Sequence, residues 1–206
     1  MTTLARRLVL VAVALLTAAC SLTGTGDPAT AATVGDRSIP AAEIDENLAS
    51  IRDSAAFRQQ AQGDASGRFV IDAQTQIVTT FIRSEILDLL AEERDITVSE
   101  EEVAQARDEL AGQLGGPEAF RERIAEQGLS EAFVLQQLRD QQTQALLQDD
   151  IGASEDLATF VRDEMSDVEI EVNPRYGQWD DASLSVAPYD PLRGGGGAEA
   201  AANEGP

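Results

Sequence analysis

A long apolar stripe between Val70 and Leu90 constrains the fold of this chain more than any other feature. Apolar side chains recur there at intervals of three and four residues, the spacing that places them on one face of an α-helix. Because a stripe this wide is typical of a central helix, we expect most of it to form core and not to line a binding groove. Its members are Val70, Ile71, Ile77, Val78, Phe81, Ile82, Ile86, Leu89 and Leu90.

A short strand or hairpin and a first helix are predicted before this stripe. Residues 34–39 have strand-forming side chains on either side of Gly35 and Asp36, which are a turn pair. Pro40 then opens a helix, since proline is favoured at the first helical position. Apolar residues at helical spacing predict that this helix continues to about Gln60.

Further helices are predicted after the stripe. Ser99 and Glu102 have the spacing of a capping box, in which each side chain bonds the backbone of the other. Pro117 begins a short helix, and Ser130 and Ser154 cap two later ones. A metal site at the consecutive acids after Ser99 is the alternative, but consecutive residues cannot all face one ion, so we interpret them as a solvated helix start.

The C-terminal part is predicted to form one strand followed by a disordered tail. Residues 168–172 alternate apolar and acidic side chains, which is typical of a half-exposed strand. Beyond Ser185 the chain is rich in glycine and proline and should be disordered. We therefore predict a mainly α domain of five or six helices over residues 33–186, with a small sheet, and a tail over residues 187–206.

The first nineteen residues have the parts of a secretory signal. Arg6 and Arg7 precede the apolar run Leu8 to Leu16, which is too short to span a bilayer. The residues before Cys20 resemble the lipobox of bacterial lipoproteins, although Thr17 stands where leucine is usual. The resemblance implies that residues 1–19 are a lipoprotein signal peptide and that Cys20 is acylated, which would anchor the chain at the extracytoplasmic face of the cell membrane. An ordinary secretory signal with an incidental cysteine is the alternative.

Composition excludes several function classes. There are 37 acidic residues against 15 basic ones, with a net charge of -22, so a nucleic-acid partner is disfavoured. Histidine is absent, which removes the usual general base and the usual zinc ligand. One cysteine cannot form an internal disulfide. The segment 20–32 is rich in Gly, Thr, Pro and Ala and is predicted to be a flexible tether.

Several phrases occur in an order that resembles a known family. They are the phrase from Arg94 to Val103 (RDITVSEEEV), the phrase Gly128 to Ser130 (GLS), and the segment Val172 to Asp180 (VNPRYGQWD). Together they resemble the N-terminal chaperone domain of SurA-like and PrsA-like foldases, over about residues 33–151. The resemblance implies that the strand near residues 33–39 pairs with the strand near residues 168–173 in one small sheet.

The catalytic module of those foldases, a parvulin-type prolyl isomerase domain, does not fit this sequence. Only residues 154–167 separate the helical region from the last predicted strand, and the paired histidines of a parvulin site are absent. The resemblance therefore implies a chaperone that binds unfolded or newly exported proteins without isomerase activity, metal or cofactor. Candidate client-contact residues are Phe57, Phe69, Phe120, Phe133 and Trp179.

Two other functions remain open from the sequence. A scaffold lipoprotein would use the same helical body to hold one dedicated folded partner at the membrane. An enzyme would have to rely on Asp and Glu alone, as some glycosidases do, and no pair of carboxylates stands out from the general acidity. Trp179 and Tyr176 could contact clients, but packing against the small sheet is the interpretation we favour.

Overall fold

The structure, a computed structural model, describes residues 27–189 and is mainly helical, which confirms the predicted fold class. Its helices are α1 (Ala41–Asp53), α2 (Ala55–Gly63), α3 (Arg68–Glu93), α4 (Glu100–Leu114), α5 (Pro117–Glu126), α6 (Glu131–Ile151) and α7 (Leu157–Glu164), followed by a 3₁₀ turn, Met165–Asp167. Its strands are β1 (Thr30–Val34), β2 (Arg37–Pro40), β3 (Ile170–Val172), β4 (Gln178–Asp180) and β5 (Ser185–Ala187).

Helix α3 is the centre of the domain, as the apolar stripe predicts. It packs against α6 on one side and against β1, α1 and β5 on others. The stripe is core along most of its length, whereas Ile71 near its start is 48% exposed. The fully or almost fully buried members are Ile77, Val78, Ile82, Ile86 and Leu90.

The predicted first helix is wrong in one respect, because the chain breaks it at Ser54. This residue has extended backbone angles, and its hydroxyl accepts a hydrogen bond from the backbone N–H of Phe57 at 3.1 Å. A serine side chain that bonds the backbone in this way ends one helix and caps the next. The chain therefore has α1 and α2 where one helix to about Gln60 is expected, and residues 27–189 contain seven helices where five or six are expected.

The N-terminal strand lies at the centre of a three-stranded antiparallel sheet with the order β2-β1-β3. The predicted pairing of the N-terminal and C-terminal strands is confirmed, with Val34 opposite Ile170. Strand β1 begins at Thr30, inside the predicted tether, because Ala31 and Ala32 are buried in the core. Strand β3 begins two residues later than expected, since a 3₁₀ turn precedes it.

A second, two-stranded sheet is not predicted by the sequence, and residues 186 and 187, where disorder is expected, belong to a strand. Strands β4 and β5 form an antiparallel hairpin that packs on α3. Val186 is buried, and its N–H donates to the Thr79 hydroxyl at 2.8 Å. Arg83 donates to the Leu184 carbonyl at 2.8 Å. Contacts with α3, far away in sequence, therefore order a segment whose own composition is typical of a tail.

Most of the predicted helix starts are confirmed. Both bonds of the Ser99–Glu102 capping box are present, and the Ser130 hydroxyl accepts from the backbone N–H three residues on. The predicted cap at Ser154 is wrong, because Asp156 caps α7. The acids after Ser99 thus stabilise a helix start, where carboxylates are favoured by the helix dipole.

Candidate functional site

The five aromatic residues proposed from the sequence as client contacts differ in exposure. Phe57, Phe120 and Phe133 are buried, whereas Phe69 and Trp179 are half-buried. A buried ring contributes mainly to the packing of the core. Of the five candidates, only Phe69 and Trp179 have partly exposed side chains. Their contact with clients stays a prediction.

Phe120 and Phe133 belong to two different apolar clusters. Phe133 lies in the main core, where its ring centroid is 5.7 Å from that of Phe81. Phe120 lies in a smaller cluster that joins α4, α5 and α6, with Ala111, Ile124 and Val134. Both rings therefore hold helices together, which is the role we expect for buried aromatic side chains.

Trp179 and Tyr176 pack the C-terminal segment onto the body of the domain, as favoured above. Trp179 packs against the main core, and its indole N–H is buried without an acceptor among residues 27–189. The Tyr176 hydroxyl donates to Asp45 at 2.7 Å, and Arg175 donates to the same carboxylate at 2.9 Å. Burial, with the bond to Asp45, raises the pKa of Tyr176 to about 12. This arrangement joins the segment after β3 to α1.

Phe57 and Phe69 come together where α2 meets the start of α3. Their ring centroids are 4.9 Å apart, with planes tilted by 41°. Val70, half-buried, and Ile71, 48% exposed, follow Phe69 along α3. We call Phe57, Phe69, Val70 and Ile71 the α2–α3 corner. It combines the buried ring of Phe57 with two half-buried side chains, Phe69 and Val70, and the exposed side chain of Ile71.

Asp64 fixes the shape of the α2–α3 corner. Its carboxylate accepts from the backbone N–H of Phe69 at 2.6 Å and from the hydroxyl of Ser66 at 2.5 Å. These bonds lower the pKa of Asp64, the Ser66 hydroxyl having the largest effect and the Phe69 N–H the next. Gly67 has a φ of 71°, which a glycine adopts without strain. The ionised carboxylate thus holds the first turn of α3 against α2.

Arginines without an ion pair flank the α2–α3 corner. Arg58 and Arg68, next in sequence to the two rings, are exposed and form no ion pair with a residue in the described range. Arg52 donates to Gln74 at 3.1 Å. By contrast, Arg94 near the end of α3 pairs with Asp150 at 2.6 Å. The corner therefore presents cationic groups in a chain whose net charge is -22.

Other exposed apolar side chains lie on separate elements. Leu114 is at the end of α4, Leu146 is on α6, and Tyr189 follows β5. Apolar periodicity places Leu114 and Leu146 on the apolar faces of their helices, and it assigns Ile71 to the core stripe. No sequence signal identifies Ile71 as exposed, because periodicity places it on the same face as the buried members of the stripe.

Two further properties hold for residues 27–189. Within that range no helix has the length and apolar character needed to cross a membrane. The same residues contain no group of three or more Asp, Glu or Cys side chains arranged to hold a metal ion.

Comparison with known proteins gives one family. No curated protein matches the chain. The family model described as the SurA-like N-terminal domain matches residues 3–148, which include β1, β2, α1 to α5 and most of α6. This agrees with the resemblance of the phrases at residues 94–103 and 128–130, and the match covers more than half of the sequence. The chain belongs to the SurA-like N-terminal domain family.

Proposed function

We propose that this protein is a lipid-anchored extracytoplasmic chaperone that binds unfolded exported proteins through the α2–α3 corner and has no prolyl isomerase activity. The observation that carries this proposal is the corner itself: Ile71 is exposed beside the half-buried Phe69 and Val70, on a domain of a chaperone-type family. The neighbouring Arg58 and Arg68 form no ion pair with a residue in the range 27–189. Exposed apolar clusters rimmed by polar groups are typical of binding surfaces.

The chemistry of the corner suits extended, unstructured segments. Ile71 and the edge of Phe69 offer apolar contact, and the guanidinium groups of Arg58 and Arg68 donate to main-chain carbonyls or client carboxylates. Such binding is weak, because an unfolded client loses conformational entropy when it is held. A weak interaction also allows the client to leave and fold.

The segment between α6 and β3 supports the absence of isomerase activity. Residues 152–169 contain only α7 and a 3₁₀ turn, and a domain of about a hundred residues does not fit there. The sequence has no histidine to supply the pair that a parvulin-type site uses. The proposed activity is therefore retention of unfolded chains and not isomerisation of proline bonds.

The lipid anchor is tested by Cys20→Ser. We expect the wild-type chain to sediment with membranes and the variant to be found in the soluble extracytoplasmic fraction, because acyl chains on Cys20 supply the attachment. Mass spectrometry of the N-terminal peptide checks the modification directly. An unmodified Cys20 in the wild-type chain would contradict the anchor. A control substitution, Ser21→Ala, should leave the distribution unchanged.

Crosslinking in cells distinguishes a chaperone from a scaffold. A photoreactive amino acid at position 71 should capture many different exported proteins if the corner binds unfolded clients. One stoichiometric adduct would instead support the alternative, a scaffold for a dedicated partner. The same probe at position 149, an exposed position on α6 far from the corner in sequence, is the control and should give few adducts.

A further inference from the structure

The contact between α3 and α6 contains a buried carboxylate, Asp140, which is only 8% exposed. Its two oxygens accept from the Ser84 hydroxyl, each at 2.8 Å, and one also accepts from the Gln136 side-chain amide at 2.9 Å. The Gln136 amide lies 2.9 Å from the Ser84 oxygen as well. Two neutral donors therefore hold this carboxylate, and no arginine among residues 27–189 bonds it.

A second carboxylate, Asp88, lies one turn beyond Ser84 on α3 and is half-buried. The arginines nearby are engaged with other acids. Arg37 on β2 pairs with Glu92 at 2.5 Å and with Glu85 at 3.5 Å, and Arg139 on α6 pairs with Glu100 on α4. The charged groups that act on Asp140 and Asp88 from the surrounding elements are Arg37, Glu85, Glu92 and Arg139.

Burial of these carboxylates disfavours their charged forms. Desolvation raises the pKa of Asp140, while the bonds from Ser84 and Gln136 oppose the shift and the charge of Asp88 adds to it. Desolvation, with the charge of Glu85, also raises the pKa of Asp88. A carboxyl whose pKa is raised by folding stabilises the folded state below its ordinary value of about 4, and this contribution is lost as the pH rises through the raised value.

We propose that the contact between α3 and α6 is a proton-operated joint, which tightens when Asp140 is protonated and loosens when it ionises. A neutral carboxyl keeps both partners, since it donates to the Ser84 oxygen and accepts from Gln136. An ionised carboxylate draws water toward the contact. Helix α6 also packs against α4 and α5 through the cluster around Phe120. A looser contact between α3 and α6 therefore lets α4, α5 and α6 move together relative to α3. The joint does not depend on the proposed chaperone function.

Urea unfolding at several pH values tests the joint in the chain from residue 20 to residue 206 with Cys20→Ser. We expect Asp140→Asn to raise the unfolding midpoint at about pH 7.5, and this gain to shrink as the pH falls toward the ordinary carboxyl pKa of about 4. Asp149→Asn, at an exposed carboxyl on the same helix, is the matched control substitution. A gain from Asp140→Asn that is independent of pH, or a loss at every pH, would overturn the proposal.

Hydrogen exchange and a second variant complete the test. At about pH 7.5 the α6 amides of Asp140→Asn should exchange more slowly than those of the parent chain, whereas equal rates would contradict a looser joint.

Asp88→Asn removes a charge that disfavours ionisation of Asp140. The pH range over which the urea unfolding midpoint changes should therefore move to lower pH. No movement would also count against the joint, and this variant gives a result even where Asp140→Asn does not fold.

Discussion

Gly128→Ala is expected to destabilise the domain by about 3 kcal/mol, the sum of a left-handed backbone penalty and an overpacking cost. Gly128 has a φ of 72°, and a Cβ placed there would lie 2.3 Å from the carbonyl oxygen of Ser50 and 2.8 Å from the Cα of Ile51. Both neighbours are backbone atoms of α1, which cannot rotate away. The turn between α5 and α6 therefore has to move off α1.

Urea denaturation measures this effect, and Gly112→Ala is the matched control. Gly112 lies within α4, and a Cβ there meets nothing within 4 Å. Because alanine is the better helix former, this second substitution should stabilise the domain by about 1 kcal/mol. Equal effects of the two substitutions would show that the close approach at Gly128 is wrong.

Ile82→Ala is expected to cost about 4 kcal/mol, since it removes a fully buried side chain from the middle of α3. The cavity would lie where α3 packs against its neighbours in the main core, and the surrounding helices can relax only in part. Thermal or urea unfolding gives the difference in stability from the wild-type chain.

Ile71→Ala on the same helix provides the comparison for Ile82. It has the same chemistry, but 48% of the Ile71 side chain is already exposed. We expect a change within about 0.5 kcal/mol, typical of surface substitutions. If Ile71→Ala cost as much as Ile82→Ala, the α2–α3 corner would be core and would not be available to a client.

Local patterns in the sequence predicted the parts of the fold that depend on nearby residues. The stripe of α3 and the capping box at Ser99 agree with the structure. The pairing of the N-terminal with the C-terminal strand is also found, but it joins residues far apart in sequence and is implied by the family resemblance, not by a local pattern. The break at Ser54 was missed because serine is common both within helices and at their starts. Only its bond to the Phe57 N–H distinguishes the two cases.

Parts that depend on distant contacts could not be predicted in the same way. Residues 185–187 form a strand because two side chains of α3 bond the backbone there. The Thr79 hydroxyl accepts from the Val186 N–H, and Arg83 donates to the Leu184 carbonyl. The α2–α3 corner likewise depends on how two helices meet, which brings Phe57 to Phe69. Periodicity assigns Ile71 to the buried face of α3. Its exposure depends on how far the neighbouring elements extend along that helix, which a local pattern does not give.

The central claim is that this domain binds unfolded chains through the α2–α3 corner. Light scattering of an aggregating unfolded protein tests it, with the chain from residue 20 to residue 206, Cys20→Ser, and variants of that chain. We predict that this parent suppresses aggregation, that Ile71→Ser with Arg68→Gln reduces the suppression severalfold while folding normally, and that Leu146→Ser, at an exposed leucine on α6, does not. No suppression by the parent chain, or equal suppression by all three, would contradict the account.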